Sequence, residues 1–222
     1  MKRNTWILCM AVAICCGIMA LVDAVVQPPY FIKSAIKVAL FLLIPLILGV
    51  KLNFSPFLCL RSDKKAILAG ISLGIGTFAV ILGGYALLSP FLDLSAIPGA
   101  LEAGVGVTAD NFLYVSLYIA LCNSLLEEFF FRGFAFLSLK SVSSNRFAFY
   151  FSAACFAVYH AAILKGWFSP VLMLLTLSAL FICGLFFNWL DHKRERIWIS
   201  WLVHLFANLA INTIGMKLMG IL

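Results

Sequence analysis

A chain of 222 residues that is 64% hydrophobic and only 11% charged cannot fold as a soluble globular domain, where about 25% charged residues is usual. Its mean hydropathy of +1.09 and continuous apolar runs of about 20 residues make lipid the solvent. They predict α-helices rather than a barrel, whose segments would alternate over about 10 residues. The formal charge of +7 does not indicate nucleic acid, because the basic residues lie in short clusters between the runs, where they report membrane topology. The expected fold class is all-α, a polytopic transmembrane helical bundle forming one integral-membrane domain over 1–222.

Seven spans are expected in chain order, at about 6–26, 32–50, 66–89, 112–139, 147–164, 168–190 and 197–218. The first has a basic start like a secretory leader. Its apolar stretch, Trp6 to Val22, exceeds the usual h-region of about 7–15 residues, and Asp23 spoils a small-residue cleavage site, so it reads as a retained span. Pro28 and Pro29 in "QPPY" keep the first helix from running into the second. "KLNFSPFLCLRSDKK" reads as a basic, partly amphipathic loop, and "SPFLDLSAIPGALEAGVGVTADN" as a longer acidic loop rich in Gly and Pro. Glycines 70, 74, 76, 83 and 84 crowd the third span and suggest close helix packing. "DHKRER" reads as a short charged turn with His192 solvated. Splitting the last run at Gly215 would create an eighth span. The seven cysteines lie mostly within apolar runs without a CxxC pair and read as small core hydrophobes.

Lysine and arginine orient the chain. With the N-terminus inside, eleven fall in inner segments (Lys2, Arg3, Lys51, Arg61, Lys64, Lys65, Lys140, Arg146, Lys193, Arg194, Arg196) and three outside (Lys33, Lys165, Lys217), leaving Lys37 and Arg132 within spans. The positive-inside rule therefore predicts a cytoplasmic N-terminus and an outward-facing loop over 90–110, which holds Asp93, Glu102 and Asp110 but no Lys or Arg. Cysteine-accessibility labelling should find positions 100 and 63 on opposite sides; labelling from one side would overturn this topology.

The ionisable and amide side chains inside the spans cluster in the C-terminal half: Asn123, Glu127, Glu128 and Arg132 on the fourth span, His160 on the fifth, His204, Asn208 and Asn212 on the seventh. Each charge placed at the bilayer centre costs about 2.5–3.5 kcal/mol or more. Asn123 to Glu127, Glu128 to Arg132, His204 to Asn208 and Asn208 to Asn212 are each four apart and share a helix face. Glu128 with Arg132 reads as an ion pair that leaves Glu127 formally unpaired. Asn212 reads as helix–helix glue. Asp23 and Lys37, near the ends of the first two spans, snorkel or pair, and no chemistry is assigned to them. At about 1.5 Å per residue, His160 falls roughly 18–20 Å from the inner start of its span and His204 about 10 Å from its own. Helix tilts of about 20° let the groups meet slightly inside the midplane.

"EEFFFR" at 127–132, "FAVYH" at 156–160 and "HLFAN" at 204–208 match EExxxR, FxxxH and HxxxN in order. In this the chain resembles the CPBP intramembrane proteases, the Abi family, whose relatives include the type II CAAX prenyl endopeptidases. The resemblance covers about residues 111–215. It implies that Glu127 activates a water that His160 also holds, that His204 and Asn208 stabilise the oxyanion, and that Glu128 and Arg132 orient Glu127. It also implies a membrane-associated protein or peptide substrate and no cofactor. Donors pre-aimed at a developing oxyanion suit amide hydrolysis in a low-dielectric cavity. Two other readings use the same residues. Glu127, His160 and His204 would give Zn²⁺ three ligands and an open fourth position, although there is no HExxH. A non-proteolytic scaffold or transporter subunit would use the cluster for packing or proton movement, but transporters more often show repeated halves.

Overall fold

The computed structural model describes residues 3–61 and 64–222. Lys2 and Asp63, which enter the topology argument above, lie outside the described residues. The chain folds as an all-α polytopic bundle. Among the described residues, seven helices are long and apolar enough to cross a membrane: Arg3–Val26, Tyr30–Leu52, Lys64–Phe91, Phe112–Val142, Asn145–Ile163, Pro170–His192 and Trp198–Leu218. These are called spans one to seven, and each overlaps its expected run. Pro29 precedes span two and Pro170 opens span six, where the missing N–H costs no intrahelical bond.

Span seven passes Gly215 without a break, so the eighth span does not form. The missing Cβ there gives room to Phe112, whose ring would lie 2.7 Å from one. The acidic loop is not structureless either. Ala96–Val105 is a short helix that tolerates Pro98 in its first turn, where N–H groups have no helical acceptor. It closes on Gly106 at φ 65, whose N–H reaches the Glu102 carbonyl at 3.0 Å.

The glycines of span three divide by face. Gly70 and Gly74 lie against span seven, where a Cβ would run into Leu202 and Phe206, whereas Gly76, Gly83 and Gly84 face open space. Only the first two serve close packing. The outward surfaces are apolar, with Leu68, Val80 and Val171 exposed, as lipid contact requires.

Span four is the central column. From Phe129 to Ser138 its backbone is π-helical and almost every side chain is buried, the pattern of a helix apolar on all sides. Phe130 stacks on Phe41 of span two at 4.0 Å with rings 7° from parallel. Phe131 meets Phe156 of span five edge-on at 5.3 Å. Span one supplies Leu8, Val12, Cys15 and Met19 to the same core. Cys9, Cys15 and Cys59 are buried.

The segments rich in Lys and Arg meet at one end of the bundle. Thr5 donates to the Val142 carbonyl at 3.0 Å, Trp198 to that of Arg61 at 3.0 Å, and Lys140 pairs with Glu195 at 2.8 Å. At the other end Lys165 reaches the Ala24 carbonyl. The positive-inside rule, applied to this grouping, supports the proposal that the first end is cytoplasmic.

Candidate active site

Two π-helical segments bracket the acidic pair: Ile119–Asn123 before it and Phe129–Ser138 after it, with Ser124–Glu128 α-helical between. Such widened turns recur at functional sites because they re-aim side chains. Glu127 and Glu128 point into the bundle and are 2% and 0% exposed.

Glu127 uses its two oxygens differently. Oε1 accepts from Lys37 Nζ at 2.5 Å and from Asn123 Nδ2 at 3.1 Å. Oε2 faces His160 Nε2 at 4.0 Å and His204 Nε2 at 3.7 Å. These separations are too long for direct hydrogen bonds and suit one bridging oxygen. The structure thus brings together Glu127, His160 and His204 from three spans, despite the unequal depths counted along the helices. The reading of Glu127 as unpaired is overturned. Its partner, Lys37, is buried in span two and also donates to Asn123 Oδ1 at 2.6 Å. Lys37 does not snorkel, because its ion pair with Glu127 and its hydrogen bond to Asn123 compensate its burial better than a partial exit would.

The second carboxylate serves the other histidine. Glu128 Oε1 lies 2.8 Å from His204 Nδ1 and 3.2 Å from Arg132 Nη1. Glu128 therefore touches both His204 and Arg132, and its link to Glu127 runs through the His204 ring. The Arg132 guanidinium lies between the faces of Phe156 and Phe187, 4.2 Å and 4.8 Å from their centroids, a geometry suited to a planar cation. Asp191 lies close enough to interact electrostatically with both Glu128 and Arg132, and accepts from Ser200 Oγ at 2.6 Å.

Ring tautomers follow from the acceptors. His160 Nδ1 is 2.7 Å from the Phe156 carbonyl and His204 Nδ1 faces a carboxylate. Both partners only accept, so both Nδ1 atoms carry hydrogen and both Nε2 atoms face Glu127. Asn208, one turn beyond His204 and half-buried, gives one amide hydrogen to the Ile119 carbonyl at 3.4 Å, which leaves its second hydrogen uncommitted. Asn212 donates to the Ser116 carbonyl at 2.9 Å and is glue, as expected.

Sequence reasoning passed over Lys37 and Asp191. Charge arithmetic held a signal for the first: Lys37 and Arg132 were the two basic residues left inside spans, facing the two acids Glu127 and Glu128. Asp191 was hidden in "DHKRER", which is not wholly a solvated turn. Asp191 is fully buried at the end of span six, and His192 is half-buried beside Phe136.

A helical membrane bundle that gathers ionisable groups from several spans in its interior marks a functional site, since such groups are costly in a bilayer. Residues 109–210 match the family model described as Rce1-like, type II CAAX prenyl endopeptidase Rce1-like. Over this segment the chain is similar to the CPBP, or CAAX protease-like, family of intramembrane endopeptidases. The first three spans precede the matched segment. No curated protein and no solved structure matches the chain.

Proposed function

We propose that the protein is a glutamate-type intramembrane endopeptidase that needs no metal and hydrolyses a peptide bond of a membrane-associated, CAAX-type protein or peptide. The observation that carries this reading is the single carboxylate oxygen, Glu127 Oε2, facing two imidazole Nε2 atoms at 4.0 and 3.7 Å. A water bridging Glu127 and His160 would donate one hydrogen to each acceptor and direct a lone pair outward. Glu127 takes one proton as the water oxygen bonds to the scissile carbonyl carbon. The oxyanion is held by His204 Nε2–H and Asn208 Nδ2–H. With Nδ1–H committed to Glu128, His204 offers Nε2–H only as an imidazolium, and Glu128 is the adjacent counter-charge for that form. The proton on Glu127 then passes to the amide nitrogen, the C–N bond breaks, and an amine and a carboxylic acid leave, the acid giving its remaining proton to the amine.

In the zinc-dependent alternative Glu127, His160 and His204 would be the ligands. Lys37 already supplies the counter-charge of that carboxylate, and a divalent ion would sit close to its ammonium, which is repulsive. Cleavage of a farnesylated CAAX peptide by the purified protein is therefore expected to survive exhaustive chelation unchanged. Loss of activity with chelator, restored by added Zn²⁺, would assign the metalloprotease mechanism instead.

A further inference from the structure

Lys37 lies outside the family-matched segment, on the second of three spans that carry none of its motifs. Yet its ammonium is 2.5 Å from Glu127 Oε1 and 2.6 Å from Asn123 Oδ1. It is enclosed by aromatic rings, 5.1 Å from the centroid of Tyr159 and 5.5 Å from that of Phe41. The turn that follows it, Ala39–Leu43, is π-helical, and its Phe41 is clamped against Phe130. The lysine is thus held from both sides: by the aromatic contact between spans two and four, and by the carboxylate it pairs with.

We propose that Lys37 is a positioning residue for the catalytic base, holding Glu127 as an ionised carboxylate with Oε1 engaged and Oε2 turned to the histidines. The active site is then built by spans two, four, five and seven, and the N-terminal half is part of the catalytic unit. The proposal rests on the reading of Glu127 as the base. Three observations support it. Oε1 receives two donors, from Lys37 and Asn123, which fixes the carboxylate plane. Those donors also hydrogen-bond each other, so the triad is closed. Oε2 is the oxygen that faces the imidazoles. Without the ammonium, a carboxylate in a water-poor chamber loses both its counter-charge and the contact that fixes its rotation.

A purely structural ion pair would affect only how much folded protein accumulates. The positioning role makes a different prediction for each folded molecule. Purified Lys37→Met should lose roughly 10²-fold in kcat on a farnesylated CAAX peptide, the scale of a reacting group displaced by about 1 Å, with KM changed little. Lys37→Arg should recover much of that loss. A second readout needs no substrate: infrared spectra of Lys37→Met should gain a protonated-carboxyl C=O band that disappears in Lys37→Met/Glu127→Gln. If Lys37→Met does not fold, Asn123→Ala, which keeps the ion pair but frees one side of Oε1, should lower kcat about tenfold, a fraction of that displacement effect. Wild-type kcat in folded Lys37→Met or in Asn123→Ala, or absence of the carboxyl band, would overturn the proposal. Glu127→Gln run alongside separates the two readings. If it is inactive while Lys37→Met is fully active, only the role of Lys37 falls; if it is itself fully active, the base assignment falls.

Discussion

Glu127→Gln protein is expected to insert and accumulate like the wild type while cleaving at least 10²–10⁴-fold more slowly, the usual contribution of a general base. Glutamine keeps the size of the side chain, and its carbonyl oxygen can still accept from Lys37 and Asn123, which hold Oε1 at 2.5 and 3.1 Å. What it removes is the acceptor that faces the histidines. His160→Ala is expected to be as damaging by a different route. Its Nδ1–H is fixed to the Phe156 carbonyl at 2.7 Å, so its Nε2 is the acceptor that would hold the same water against Glu127. Cleavage assays on purified, monodisperse variants check both. Full activity in Glu127→Gln would remove the glutamate mechanism and the zinc alternative together, since each requires that carboxylate.

Arg132→Ala should fail earlier, at the level of the folded protein. The guanidinium is wholly buried, pairs with Glu128 at 3.2 Å and fills the space between Phe156 and Phe187. Removing it leaves Glu128 near Asp191 in the interior with His204 as its remaining basic contact among the described residues. Losing one partner of a buried pair typically costs about 3–5 kcal/mol, and the emptied space adds a cavity penalty. Membrane accumulation and the Tm of extracted protein should both fall, and residual activity should fall with them because His204 loses part of its support. Lysine should rescue poorly, since a point-like ammonium cannot lie flat between two rings. Wild-type accumulation and Tm in Arg132→Ala would show that the Glu128 charge is compensated by other means.

The contrast between these two carboxylates shows where sequence reading reached its limit. Glu128 with Arg132, and Asn123 with Glu127, lie four apart on one helix, so their contacts follow from helical geometry before any tertiary structure is known. His160 and His204 were recognisable by motif, yet counting along straight helices set them at unequal depths. Their convergence on Oε2 depends on tilt and on the π-helical segments flanking the acidic pair. Lys37 had no motif and no sequence neighbour to pair with. Its contact with Glu127 crosses 90 positions of chain and exists because Phe41 seats span two against Phe130.

Composition alone determined that this chain lives in lipid as a helical bundle, because 11% charged residues cannot clothe a soluble surface and apolar runs of about 20 residues can only be helices across a bilayer. Local spacing likewise determined the pairs within one helix and the order of the three motifs. Tertiary structure decided which glycines pack, since Gly70 and Gly74 meet span seven whereas a Cβ at Gly76, Gly83 or Gly84 would meet nothing within 4 Å among the described residues. It decided that Asp191 is interior, that Glu128 serves His204, and that the lysine of span two meets Glu127. The physical reason is common to all of these. A charge inside a membrane protein must be compensated by whatever group the packing brings within a few ångströms, and packing between spans is a property of the assembled bundle.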